Sequence, residues 1–176
     1  MKKLLSLLSL ALLALNIFAQ IKLNRPVMSP VSNSTAACCG FRAMNSADLP
    51  MGLSATKENI IVFDKETFDD ANAFNGSSYK APSDGVYQFT VNVGIKAKNS
   101  SSDISQLMLK IKTSNSQSTS QLINIPANYD NVISGQAVAL FKLSAGEEVS
   151  VIVIGLGSAS AATTGNLSYF SGVKMY

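Results

Sequence analysis

Downstream of about Ala37 the chain alternates between short apolar runs and clusters of Gly, Asn, Ser and Asp, and nowhere sustains apolar residues at helical spacing. Such a chain is confined to β structure. The runs are Asn59 to Asp64, Gly85 to Ile95, Gln106 to Thr113, Ser120 to Ile125, Gln136 to Leu143, Glu147 to Gly155 and Leu167 to Tyr176. Seven or more strands imply two packed sheets, so the expected fold is an all-β, antiparallel sandwich.

The period of two assigns faces. In GVYQFTVNVGI, Val86, Gln88, Thr90 and Asn92 point one way and Tyr87, Phe89, Val91 and Val93 the other, so one face is buried and the other mostly wet. VSVIVIGLG is apolar at nearly every position, as expected of a strand covered on both sides, and the second cover could be another subunit. Gly146 in LSAGEE suits a tight turn, while KNSSSD and SNSQSTS are polar loop tips. The small-residue segment GSASAATTG either packs closely against something or stays in solvent.

At the amino terminus, Lys2 and Lys3 precede a mainly apolar stretch, Leu4 to Ala19, without a charge. This pattern is that of a secretory signal peptide cleaved between Ala19 and Gln20, with a retained anchor as the other reading. The polar Ser6, Ser9 and Asn16 favour cleavage, which leaves no stable membrane span. Residues 20–39, rich in Pro, Ser, Asn and Thr, form a leader or stalk, and residues 40–176 the globular domain. Cleavage at Ala19 leaves about 157 residues, enough for one domain with a proper core.

Charge and cysteine usage narrow the partners. Without Lys2 and Lys3 of the signal peptide the net charge is about +1, and the remaining Lys and Arg are scattered, so no nucleic-acid footprint is present. Cys38 and Cys39 are the only cysteines and are adjacent, which excludes a disulfide framework within one domain. They either cross-link chains or remain quiet thiols.

Catalysis is poorly supplied. The chain has no His, which removes the usual general base, the Ser-His and Cys-His pairs and the commonest transition-metal ligand. Asp69 and Asp70 are adjacent, and on a strand they would point to opposite faces and could not flank one bond. No catalytic residue is assigned, and the expectation is a protein that binds rather than catalyses. Sequons at Asn33, Asn75, Asn99 and Asn166 mark polar loops.

With the strands placed, FDKETFDDANAFNGSSYKAPSDGVYQFTVNV resembles the central signature of the complement C1q globular-head domain, a branch of the superfamily that includes tumour necrosis factor. The family's aromatic, Asp or Asn, aromatic, and Gly-aromatic-Phe positions fall on Phe63, Asp69, Phe74, Gly85, Tyr87 and Phe89. Pro82 matches the family's Pro, with Tyr79 in place of the usual Phe. The stretch from Phe74 to Tyr79 is shorter than the family norm, and Val91 stands where an aromatic is usual. GFRAMNS resembles the opening strand, SGQAVALFKLSAGEEVSVIV a later strand pair and FSGVKMY the closing strand, so the resemblance covers Gly40 to Tyr176.

The resemblance implies a C1q/TNF-like jelly roll of about ten strands that assembles as a homotrimer. The candidates for the subunit interface are Tyr87, Phe89, Val151, Val153 and Tyr169, and for any single one of the aromatics ordinary core is the safer assignment. Cys38 or Cys39 could tie the chains together, and the collagen-like stalk common in animal members is absent. No cofactor is expected, although some family members bind calcium. Its weak ligand candidates are Asp69, Asp70, Asp103 and Asp130, with Asn72 beside them, and no twelve-residue calcium loop occurs. The expected function is a secreted or cell-surface recognition module whose loop tips, Asn99 to Asp103, Asn115 to Ser120 and Tyr129 to Ser134, contact a protein or glycan. The alternative is a structural or adhesive subunit of an envelope or extracellular assembly.

Overall fold

In QLMLKIKT, Leu107, Leu109, Ile111 and Thr113 are buried while Gln106, Met108, Lys110 and Lys112 are half-exposed, residue by residue as the period-two pattern requires. The computed structural model describes residues 39–54, 57–97, 106–125, 131–156, 158–163 and 167–176. The leader segments and Cys38 lie outside the described residues.

In chain order the strands are β1 (Gly40–Met44), β2 (Leu49–Ser54), β3 (Asn59–Ile60), β4 (Lys65–Asp69), β5 (Ser78–Lys80) and β6 (Gly85–Ala97). They continue with β7 (Gln106–Thr113), β8 (Ser118–Asn124), β9 (Val132–Leu143), β10 (Glu148–Leu156), β11 (Ser158–Thr163) and β12 (Tyr169–Lys174). A seven-stranded sheet runs β2-β11-β6-β12-β1-β4, with β9 on the other side of β6. A five-stranded sheet runs β3-β10-β7-β8, with β5 also on β10. All pairings are antiparallel, and β1 beside β12 brings the two ends of the domain together.

The core between the sheets is aromatic. Phe41 stacks on Tyr79 at 4.5 Å and meets the edge of Phe170 at 5.0 Å, and Phe89 stacks on Phe170 at 5.8 Å. Each such side chain contributes on the order of 1.5–3 kcal/mol by burial, so this cluster outweighs any single polar contact. The sharp packing explains Gly172 in the closing FSG: a Cβ there would lie 2.7 Å from both Phe41 and Phe89.

Three differences from the sequence expectation are local. Of Asn59 to Asp64 only Asn59–Ile60 pairs as a strand. Ile61 and Phe63 still bury inward, but their N–H groups bond Val151 and Gly76 singly rather than in a ladder. Lys65–Asp69, which has no buried residue to announce it, forms β4 against β1 with a bulge between Arg42 and Ala43. The small-residue segment resolves into β11, whose backbone pairs with both β2 and β6.

Candidate functional site

The inner faces of both sheets are spent on the core, so binding or assembly must use the outer faces and the turns. Four of the five residues expected at a subunit interface are withdrawn from that role. Tyr87, Phe89, Val151 and Val153 are 0 % exposed within a single chain. Their parity is that of the inner faces, where one sandwich needs every large apolar group it has. VSVIVIGLG is corrected likewise: Val149, Val151 and Val153 face the core, and Ile152, on the opposite face, is already buried within the chain. Ile152 lies in register between Ile60 and Lys110, so no second subunit is needed to cover it.

Tyr169 does reach the outer face of the seven-stranded sheet, half-buried beneath Arg42, whose guanidinium carbon is 4.4 Å from the ring centroid. Register builds this face in rungs. One rung runs Val138, Thr90, Ser171, Arg42, Phe68 across β9, β6, β12, β1 and β4. The next runs Leu140, Gln88, Val173, Gly40. Leu140 is 63 % exposed, Val138 52 %, Phe68 47 % and Val173 38 %. Between them lie only uncharged groups and the single cation Arg42. A groove of about 400 Å³ opens among Arg42, Phe68, Gln88, Thr90 and Val173, with Asp70 at its end. This face thus carries four exposed apolar side chains among neutral ones and one stacked cation.

The outer face of the five-stranded sheet mixes exposed apolar side chains, Ile60 at 55 % and Leu122 at 57 %, with an ion-paired cluster. Glu58 bridges Lys112 at 2.8 Å and Lys110 at 3.2 Å, and these cations, Lys112 first, hold its carboxyl below the ordinary carboxylate range. An ion-paired, half-exposed cluster of this kind is at ease in water.

The turns are tied together by carboxylates and amides. Asp69, a calcium candidate, is committed to structure: Oδ2 accepts the N–H of Ala73 at 2.6 Å and of Phe74 at 2.7 Å, and Oδ1 that of Ala71 at 3.2 Å. Asp70 accepts the Gly40 N–H at 3.2 Å and returns its own N–H to the Gly40 carbonyl. Both serve the turn after β4, in which Asn72 is left-handed with φ 51°. Asp103 and Asp130 lie outside the described residues, and among the described residues no group of three or more potential ligands is gathered for a metal ion. Asp64 accepts from the hydroxyl and the N–H of Ser46, which hold its carboxyl below the ordinary range.

Of the loop tips, Asn115 donates to Glu147, Glu147 accepts the Ser144 N–H at 2.6 Å, and Asp84 accepts the Ala145 N–H at 2.7 Å, so three turns lock at one end of the sandwich. Residues 131–134 lie at the far end of β8, about 20 Å away, while 99–103 and 129–130 fall outside the described residues. Among the described residues, 115–120 and 131–134 therefore do not form one surface. Cys39 is free and half-exposed at the start of β1, where its carbonyl accepts the Lys174 N–H at 3.1 Å.

A model of the C1q domain family matches residues 41–174. Among solved structures, the chain is similar to the globular domain of zebrafish complement 1qA protein, with 17 % identity, TM-score 0.55 and coverage of 79 % of this chain and 98 % of that one. The Eiger TNF of S. frugiperda is similar at 14 % identity and TM-score 0.57, covering 79 % and 93 %. Murine APRIL is similar at 8 % identity and TM-score 0.55, covering 78 % and 99 %. No curated protein matches the chain in sequence.

Proposed function

Because the chain belongs to the C1q domain family, whose model spans nearly all of its globular part, we propose that it works as an exported homotrimeric recognition module that binds a protein or glycan through its turns. C1q/TNF-like domains are trimeric recognition modules and typically not enzymes. The observation that carries the reading for this chain is the outer face of the seven-stranded sheet, where Leu140, Val138, Phe68 and Val173 stand exposed around one stacked cation. Monomers rarely leave such a patch in water, and three copies would cover it while the turn-bearing end stays open. Export rests on the amino-terminal pattern of Lys2, Lys3 and the apolar stretch to Ala19. Among the described residues no helix is long and apolar enough to cross a membrane. Cys38 or Cys39 supplies a covalent tie between chains in this reading.

Light scattering on the chain beginning at Gln20 tests the assembly. Three subunit masses are expected, with a reductant-resistant trimer assigning the association to the sheet face and a reductant-sensitive one to the cysteines. A stable monomer would refute the assembly. Fractionation tests the setting: a recognition module leaves with the medium, whereas retention with the envelope would favour a structural subunit.

A further inference from the structure

Of fourteen asparagines in the chain, only Asn75 is followed by glycine. It lies exposed in the turn between β4 and β5, and Gly76 has φ +94°. The Asn75 amide is held from both sides. Its Oδ1 accepts the Ser77 N–H at 3.0 Å, the Ser77 hydroxyl at 3.1 Å and the Ser78 N–H at 2.8 Å. Its Nδ2 donates to the Ser78 hydroxyl at 3.0 Å, which donates to Glu148 Oε2 at 3.0 Å. Three donors on one carbonyl oxygen draw electron density from Cγ. Meanwhile, nothing among the described residues accepts the Gly76 N–H. Glycine brings no Cβ between that nitrogen and the amide, and the nearest atom to where a Cβ would sit is the Phe63 carbonyl at 3.8 Å.

We propose that Asn75–Gly76 is a site of spontaneous covalent modification in the folded protein, by closure to a cyclic imide and hydrolysis to aspartate or isoaspartate. Hydroxide removes the Gly76 amide proton, and the nitrogen adds to Asn75 Cγ. The N–Cγ bond forms, the Cγ–Nδ2 bond breaks, and ammonia leaves with protons from solvent. Water then opens either carbonyl of the five-membered ring, so one water is consumed and one ammonia released overall. The aspartate product loses the donor to Ser78 and places a carboxylate one hydroxyl away from Glu148. The isoaspartate product also lengthens the backbone inside a turn closed by Asn75 N–H to Ser78 C=O at 3.0 Å and Phe63 N–H to Gly76 C=O at 2.8 Å. Either product loosens the tie between this turn and β10.

Asn115 is the internal reference, because it sits in the other exposed Asx turn but precedes Ser116. The native chain is incubated at mildly alkaline pH and peptide-mapped by mass spectrometry, with isoaspartate assayed enzymatically. Asn75 is expected to gain one mass unit at least tenfold faster than Asn115, with a rate that rises with hydroxide concentration. Gly76→Ala should slow it at least tenfold. Should the strain at that φ unfold Gly76→Ala, Ser77→Ala, which deletes only the hydroxyl donor, should slow it severalfold. Conversion confined to urea-unfolded chain, or Asn75 no faster than Asn115, would overturn the proposal.

Discussion

The carboxylate of Asp69 holds the N–H of Phe74 at 2.7 Å, five residues along the chain. Together with the bonds to Ala71 and Ala73 it closes the turn after β4 and delivers Phe74 to the aromatic cluster, 5.1 Å from Phe41. Asp69→Ala strands three N–H donors and should cost about 2–4 kcal/mol in urea unfolding, with Asp69→Asn losing less because one acceptor oxygen remains. A metal ion at Asp69 would make chelator mimic the substitution. The hydrogen bonding predicts instead that chelator leaves the unfolding midpoint unchanged, and a drop matching Asp69→Ala would refute the structural role.

How legible this was in the sequence differs between core and surface. Gln106 to Thr113 could be read to the residue because its apolar groups share one parity and its lysines the other. The turn chemistry of Asp69 was invisible, since a carboxylate that caps backbone amides and one that binds calcium are the same letter. Four of the interface candidates fall on the core for a physical reason: alternation separates two faces but does not say which a neighbour covers, and the aromatic parity is claimed first by the chain's own core. The usable signal was in QAVALFKL, where Val138 and Leu140 are apolar on the parity opposite to Ala137, Ala139 and Phe141. β4 and β11 lacked any such cue, because one has no buried residue and the other is made of small side chains.

Tyr79 is 1 % exposed and its hydroxyl has no hydrogen-bond partner among the described residues. Burial, reinforced by Tyr87, pushes its ionisation well above that of free tyrosine. Above about pH 10 the unfolded chain loses this proton while the folded chain keeps it, so stability falls as pH rises beyond that point. Tyr79→Phe removes both the unpaired hydroxyl and the titration. It should be about 1 kcal/mol more stable at neutral pH and should flatten the alkaline limb of the stability curve. An unchanged alkaline limb would place the pH dependence elsewhere.

Gly172 pairs with Phe89 across β12 and β6, and it is the missing side chain that lets both Phe41 and Phe89 close over the strand. Gly172→Ala forces a methyl to within 2.7 Å of two rings, and those rings are themselves held by Tyr79 and Phe170. The expected loss is about 1–3 kcal/mol, read from the thermal midpoint. A neutral outcome would mean that the aromatic cluster can shift as a body.

Leu140 and Val138 are the most exposed apolar residues of the seven-stranded sheet's outer face, and each stands in register with a neutral residue of β6. Leu140→Lys or Val138→Lys leaves the core untouched, so the subunit should keep its β-sheet circular dichroism and change stability by less than about 0.5 kcal/mol as a monomer. In an assembly that covers this face, the new ammonium finds no counter-charge on the two central rungs, where the cationic Arg42 is the only charge, and Asp70 lies off them at the groove's end. Burying an unpaired charge costs several kcal/mol per subunit, enough to shift association by a hundredfold or more. Sedimentation should therefore show the lysine variants as monomers at concentrations where the parent chain forms the proposed trimer. Ser118→Lys on exposed β8 should leave assembly intact. Trimers that persist in both Leu140→Lys and Val138→Lys would move the subunit contact off this face.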